Sequence, residues 1–134
     1  MTTSNDITNI SILIVDDVRG VLELLNEALT KNGFDNVIPA ENGLKAIQIL
    51  ENKKIDLILS DLYMDPIDGM ELLKYVRSFD KHKDIPFIML SAENTRVKVA
   101  EAIKAGVDSY VLKPFSIVTL MDKIISVLVK KGYM

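Results

Sequence analysis

Five times along this chain a short apolar run rich in β-branched residues is followed by a stretch with helical spacing, and that alternation limits the fold more than any other feature. The runs are Ile10 to Val15, Val37 to Ala40, Ile55 to Ser60, Ile85 to Leu90 and Ser109 to Leu112. Each is too short for a helix and has the composition of a strand. Between them, apolar residues recur three and four apart: Val18, Val21, Leu22, Leu25, Ala28 and Leu29 in the first helix, then Leu44, Ile47 and Leu50 in the second. The third carries Leu72, Leu73 and Val76, the fourth covers Val97 to Ala105, and the last turns Ile117, Leu120, Met121, Ile124 and Leu128 inward. Successive parallel strands need a crossover helix, and such crossovers are right-handed. Strict alternation therefore predicts an α/β fold: a five-stranded parallel sheet, doubly wound, with helices on both faces.

Local punctuation agrees. Gly33 after Asn32 predicts a left-handed helix end, as does Gly106. Asn42 and Ser116 are N-cap residues, and Asp68 with Glu71 three residues on reads as a capping box. Residues 1–9 read as a polar leader, 10–131 as one domain and 132–134 as a short tail. No segment outside the alternation is long enough for an output domain, so readout is expected to lie with another protein.

Composition narrows the function. Of 134 residues, 16 are Lys or Arg and 19 Asp or Glu, and no basic patch offers the phosphate neutralisation that direct DNA binding requires. No apolar run approaches a membrane span, no signal peptide is evident, and there is no cysteine, so a cytoplasmic protein without membrane insertion is expected.

In an open parallel sheet, ligands bind outside the carboxyl ends of the strands, where strand order reverses. That rule selects Asp16 and Asp17 after the first strand, Asp61 after the third, Ser91 and Ala92 after the fourth, and Lys113 and Pro114 after the fifth. Three carboxylates at one edge repel, each pair by about 1 kcal/mol at 4 Å in water and about 4 at an effective dielectric of 20. A cation is needed between them. Oxygen donors without His or Cys suit a hard ion, and few carboxylates plus water and phosphate oxygens suit Mg2+. A carboxylate, a divalent cation, a lysine and a hydroxyl together make a phosphoryl site, in which Asp61 can attack phosphorus and form an acyl phosphate. Two of the three excess negative charges belong to Asp16, Asp17, Asp61 and Lys113 taken together.

These residues carry a resemblance. Leu13-Ile14-Val15-Asp16-Asp17, Ser60-Asp61-Leu62-Tyr63-Met64 with Asp68-Gly69, Ser91-Ala92, and Tyr110-Val111-Leu112-Lys113-Pro114-Phe115 resemble, in order and spacing, the receiver domain of two-component response regulators. The resemblance spans the chain from Ile10 on and implies a flavodoxin-like, CheY-like sheet of order 2-1-3-4-5. It implies that Asp61 is the phosphoacceptor, that Asp16, Asp17, Asp61 and the backbone carbonyl of Tyr63 hold Mg2+, and that Lys113, in a cis bond to Pro114, contacts the phosphoryl group. Ser91 and Tyr110 match the switch pair. A histidine kinase is the implied phosphodonor, and a protein target is expected on the face made by the fourth helix, fifth strand and fifth helix. The protein would then be a signalling switch with self-catalysed phosphorylation and dephosphorylation rather than a turnover enzyme.

Within the family the chain is similar to single-domain chemotaxis regulators, through Gly33-Phe34-Asp35-Asn36-Val37 and the segment from Lys113 to the final methionine. It departs at Met64-Asp65-Pro66, where Met-Pro is common, and at Tyr63, where those regulators have asparagine; Glu93 holds a second position that tunes hydrolysis in the family. Other readings are open to these residues. A phosphorelay intermediate would share every residue. A Mg2+-dependent phosphohydrolase of the haloacid dehalogenase type would need its nucleophile after the first strand, and a flavin-binding module would place phosphate against Asp16 and Asp17. Asp17 alone would read as a helix cap, Tyr110 alone as packing, and Lys113-Pro114 alone as a strand stop. His82, the only histidine, reads as a solvated loop residue.

Overall fold

The computed structural model describes residues 7–134, and the first six residues of the expected leader lie outside the described part. A 3-10 turn, Ile7–Asn9, leads into β1 (Ser11–Val15) and α1 (Arg19–Lys31). There follow β2 (Asn36–Ala40), α2 (Gly43–Asn52), β3 (Leu57–Asp61), α3 (Gly69–Ser78), β4 (Phe87–Ser91), α4 (Arg96–Lys104), β5 (Ser109–Leu112) and α5 (Ile117–Lys130). The strands are all parallel, in the order β2-β1-β3-β4-β5. The order reverses beside β1, between β1 and β3, which puts the switch point where Asp16 and Asp61 emerge.

Two-residue periodicity divides the core into two layers. Ile12 and Ile14 of β1, Leu57 and Leu59 of β3, and Ile88 and Leu90 of β4 pack against Leu22, Leu25 and Leu29 of α1 and Leu120, Ile124 and Leu128 of α5. Their alternates, Leu13, Val15, Ile58, Phe87 and Met89, face Ala46 and Leu50 of α2, Leu72, Leu73 and Val76 of α3, and Ala102 of α4. The three central strands are buried on both faces, while the edge strands β2 and β5 are only partly covered. This is why the central runs are apolar throughout.

The caps form as the sequence predicts. Asn42 accepts from the Lys45 N–H at 2.8 Å, Ser116 from the Thr119 N–H at 3.0 Å, and Asp68 and Glu71 exchange both bonds of the capping box. Gly33 (φ 100°) ends α1 while the Phe34 N–H reaches back to the Leu29 carbonyl, a left-handed closure that a side chain would strain.

Several expectations are corrected. β3 and β4 begin two residues later than their apolar runs and extend one residue further, so Asp61 and Ser91 are part of the sheet. Apolar runs report burial, whereas the ladder follows backbone pairing: Ile55 is buried before its strand begins, and Asp61 pairs with Leu90 despite its charge. Leu44, Val18 and Ile117 lie at helix starts beyond the sheet and are exposed, and in α2 the small Gly43 and Ala46 take the inward positions with Leu50. His82 is not solvated. It is 6% exposed, with its ring centroid 6.2 Å from Tyr75 and 6.4 Å from Phe79 in the turns after α3.

Candidate functional site

The site is built where strand ends meet. β1 stops at Val15, and Asp16 turns back into the fold: it is 1% exposed, its Oδ1 accepts the Val18 N–H at 2.9 Å, and its own N–H donates to the Ala40 carbonyl. Asp16 thus closes a turn onto the Val18 N–H before α1, whose N-cap, Val18, has no side-chain cap bond, and the exposed Asp17 is left uncommitted. Asp61 is the last residue of β3, half-buried. Carboxylate oxygens of Asp16, Asp17 and Asp61 all lie within 4.8 Å of one another, the one such acidic cluster among the described residues.

Lys113 reaches this cluster from the end of β5. Its N–H donates to the Ser91 carbonyl at 2.9 Å, which fixes the backbone beside β4, and its Nζ donates to Asp61 Oδ1 at 3.0 Å and to Asp16 Oδ2 at 3.4 Å. The Lys113-Pro114 bond is cis, as the resemblance implies, and so is Asp65-Pro66.

Charge in the cluster is unbalanced. Burial raises the Asp61 pKa above its ordinary value; the hydrogen bond and charge of Lys113 oppose the rise, and Asp16 adds to it. Burial also opposes the charge on Lys113, but its bond to Asp61 and the fields of both acids outweigh that and hold the ammonium above its ordinary value. One lysine thus serves two acids, and a third acid has no cation. The all-oxygen donor set, its close spacing and its surplus negative charge fit a hard divalent ion such as Mg2+.

Around the cluster, Ser91 is buried, and its Oγ accepts the Glu93 N–H at 3.0 Å. Tyr110 on β5 donates its hydroxyl to the Glu93 carbonyl at 2.7 Å. Tyr63, two residues past Asp61, is half-exposed and donates its hydroxyl to Glu93 Oε1 at 2.9 Å. That bond holds the Tyr63 phenol above its ordinary pKa and is the largest influence holding the Glu93 carboxyl below its own. Asp65 lies outside the acidic cluster, and Asp68 is engaged as a cap.

Two residues do more here than the sequence reading gives them. Gly69 starts α3 so close to β3 that a Cβ there would collide with the Asp61 carbonyl and stand 2.9 Å from Leu62 Cα, while its N–H donates to the Leu62 carbonyl at 2.7 Å. The only local signal was a glycine directly after an N-cap. Glu93 was read as one tuning position, yet its atoms bond to Ser91, Tyr63, Tyr110 and Thr95, contacts that no spacing rule reveals.

A doubly wound parallel sheet with an acidic, lysine-served centre at its switch point defines a receiver-type α/β module. The chain belongs to the response regulator receiver domain family, whose model matches residues 12–125. It is 36% identical over 118 residues to a Chemotaxis protein CheY homolog of Campylobacter jejuni, covering 87% of this chain and 91% of that protein. Among solved structures, chemotaxis protein CheY4 of Vibrio cholerae superposes with a TM-score of 0.84 at 29% identity, covering 89% of this chain and 98% of that one. The signal receiver domain of a signal transduction histidine kinase from Syntrophus aciditrophicus gives 0.83 at 28% identity, with 90% of each chain covered.

Proposed function

We propose that this protein is a cytoplasmic response regulator, with residues 10–131 as its working unit, that accepts a phosphoryl group on Asp61 from a histidine kinase or a small acyl phosphate. The single observation that carries this is the position of Lys113 Nζ, 3.0 Å from Asp61 and 3.4 Å from Asp16, inside a cluster of three carboxylates. The Asp61 carboxylate attacks phosphorus, the new P–O bond forms as the P–N bond of phosphohistidine breaks, and the departing imidazole nitrogen keeps the electron pair and takes a proton from water. Asp16, Asp17, Asp61 and the Tyr63 carbonyl would hold Mg2+. Bound there, the ion supplies Lewis acidity and neutralises charge on the phosphoryl oxygens.

Lys113 leaves its double contact with the acids to meet the phosphoryl oxygens, and the Ser91 hydroxyl donates to another. Loss of the Ser91 to Glu93 bond passes the change to Tyr110 and to the face formed by α4, β5 and α5. Val97 and Ile103 of α4 are 78% and 63% exposed and Leu112 of β5 is 47% exposed, an apolar surface suited to a protein target. No helix among the described residues is long and apolar enough to cross a membrane. Similarity to chemotaxis proteins favours a flagellar-motor target over a phosphorelay partner.

Intact-mass analysis after incubation with Mg2+ and acetyl phosphate tests the reading. One phosphoryl adduct is expected on the wild type, labile to acid and base, and none on Asp61→Asn or without Mg2+. An adduct persisting in Asp61→Asn, or none on the wild type, overturns it. With beryllofluoride and Mg2+, pull-down then separates a motor protein from a histidine phosphotransfer protein.

A further inference from the structure

The loop between β3 and α3, which carries the Tyr63 carbonyl, is placed largely by packing. Among the described residues no hydrogen bond holds Met64, Asp65, Pro66 or Ile67. Met64 is buried, Asp65 and Pro66 are exposed, and Ile67 is half-buried against the core layer of α2 and α3. Ile67 rests on the first residue of α2: a Cβ on Gly43 would stand 2.6 Å from the Ile67 carbonyl oxygen and 2.8 Å from Ile67 Cβ and Cγ2. Gly43 is not required by its own backbone. Its φ is not positive, and within a helix alanine is the more favourable residue. The close approach of Ile67 is what calls for a residue without a side chain. Asn42 caps that same turn through the Lys45 N–H at 2.8 Å, and Ala46 and Leu50 bury the helix, so α2 is the firm partner and the loop the yielding one.

We propose that Gly43 is a positioning residue for the metal centre: by seating Ile67 it fixes the loop that bears the Tyr63 carbonyl, and so sets the preference for Mg2+ over a larger cation. The inference rests on the reading of Asp16, Asp17, Asp61 and the Tyr63 carbonyl as metal donors. Gly43 touches neither metal nor phosphoryl group and acts through Ile67. An exposed carboxylate such as Asp17 can follow an ion by rotating its side chain, whereas a backbone carbonyl moves only with its loop. Mg2+ demands near-octahedral donors at about 2.0–2.1 Å, while Ca2+ accepts irregular shells at about 2.3–2.6 Å. A side chain at position 43 must push the Ile67 backbone off α2, and the smaller ion tolerates the resulting misplacement less.

The test titrates Mg2+ and Ca2+ separately into wild type, Gly43→Ala, Ile67→Ala and the control Gly20→Ala, whose added Cβ would meet nothing within 4 Å. The Met64 amide is followed by NMR because it shares a peptide unit with the Tyr63 carbonyl. In Gly43→Ala the Mg2+ dissociation constant is expected to rise about 10-fold and that of Ca2+ by less than about 2-fold, as for loss of a group that orients a ligand. The Met64 amide should already be displaced in the metal-free variant. Ile67→Ala trims the same contact from the loop side, should affect the two ions just as unequally, and decides the matter if Gly43→Ala does not fold. Gly20→Ala should match the wild type. A fold that is merely loosened weakens both ions alike, so equal losses, or a Mg2+ affinity within about 2-fold of the wild type, overturn the role of Gly43 and leave the metal site standing. If the wild type takes Mg2+ alone, the Mg2+ loss together with the Met64 displacement decides. A wild type that binds neither ion overturns the metal-site reading and the role of Gly43 with it.

Discussion

At the scale of single residues, the acidic cluster combines repulsion with incomplete neutralisation. Because Asp17 is exposed and makes no structural bond comparable to that of Asp16, its loss should spare the fold and remove a ligand. Mg2+ at ten times its dissociation constant should stabilise the wild type by about 1.4 kcal/mol, seen in a thermal melt as a rise of roughly 3–5 °C. Asp17→Asn should lose that rise while melting near the wild-type temperature without metal. His82 gives a pH signature of different origin. Burial against Tyr75 and Phe79 lowers its pKa from 6.5, Lys81 lowers it further, and Glu51 opposes. The unfolded chain therefore binds a proton at higher pH than the fold does. Stability from His82 is complete above its unfolded pKa and is lost as pH falls from there through the lower folded value. Urea midpoints should decline across that window in the wild type and decline less in His82→Phe.

At the scale of elements, Arg77 joins α3 to three neighbours. Its guanidinium donates to the carbonyls of Gly106, Lys83 and Ile85, and pairs with Asp108 at 2.9 Å, where both side chains are 19% exposed. Asp108 also accepts the Phe87 N–H at 2.8 Å and meets Lys131 of α5 at 3.4 Å. This node clamps the amino end of the sheet, opposite the acidic cluster. Arg77→Ala strands several acceptors and is expected to cost about 2–3 kcal/mol, read as a lower urea midpoint at constant m-value. None of this was legible in the sequence. Arg77 there is a polar residue in the last turn of a helix, and its partners are separated from it by as many as 31 positions. The capping box, the Asn42 and Ser116 N-caps and the glycine ends, by contrast, were legible because each is written within four residues.

At the scale of the whole molecule, stability is unevenly distributed around the site. β1, β3 and β4 are sealed in both core layers, whereas α4 contributes one buried residue, Ala102, and leaves Val97 and Ile103 in solvent. Hydrogen exchange is therefore expected to be slowest in β1 and β3 and fastest, among the helices, in α4. Beryllofluoride with Mg2+ should change exchange chiefly in the β4–α4 loop, α4 and β5. Changes spread evenly over α1 and α2 would contradict a switch confined to that face. A rigid sheet thus ends at Asp61 and just before Asp16, with a loosely held helix beside it.

The sequence by itself determined the order and type of the elements and the strand ends that bear the acids and the lysine, because those depend on spacing within a few residues and on the rule that places sites at a switch point. It also showed that Asp16, Asp17, Asp61 and Lys113 belong together. Only the tertiary structure decided that Asp16 is the buried member of the pair, turned back onto the Val18 N–H, that His82 is enclosed, that Gly69 must lack a side chain, and that Glu93 is the node through which Ser91, Tyr63 and Tyr110 meet. The physical reason is the same in each case. Hydrophobic periodicity fixes which face of an element turns inward, but a hydrogen bond between groups 17 or 30 residues apart depends on the paths of the loops that bring them within 3 Å.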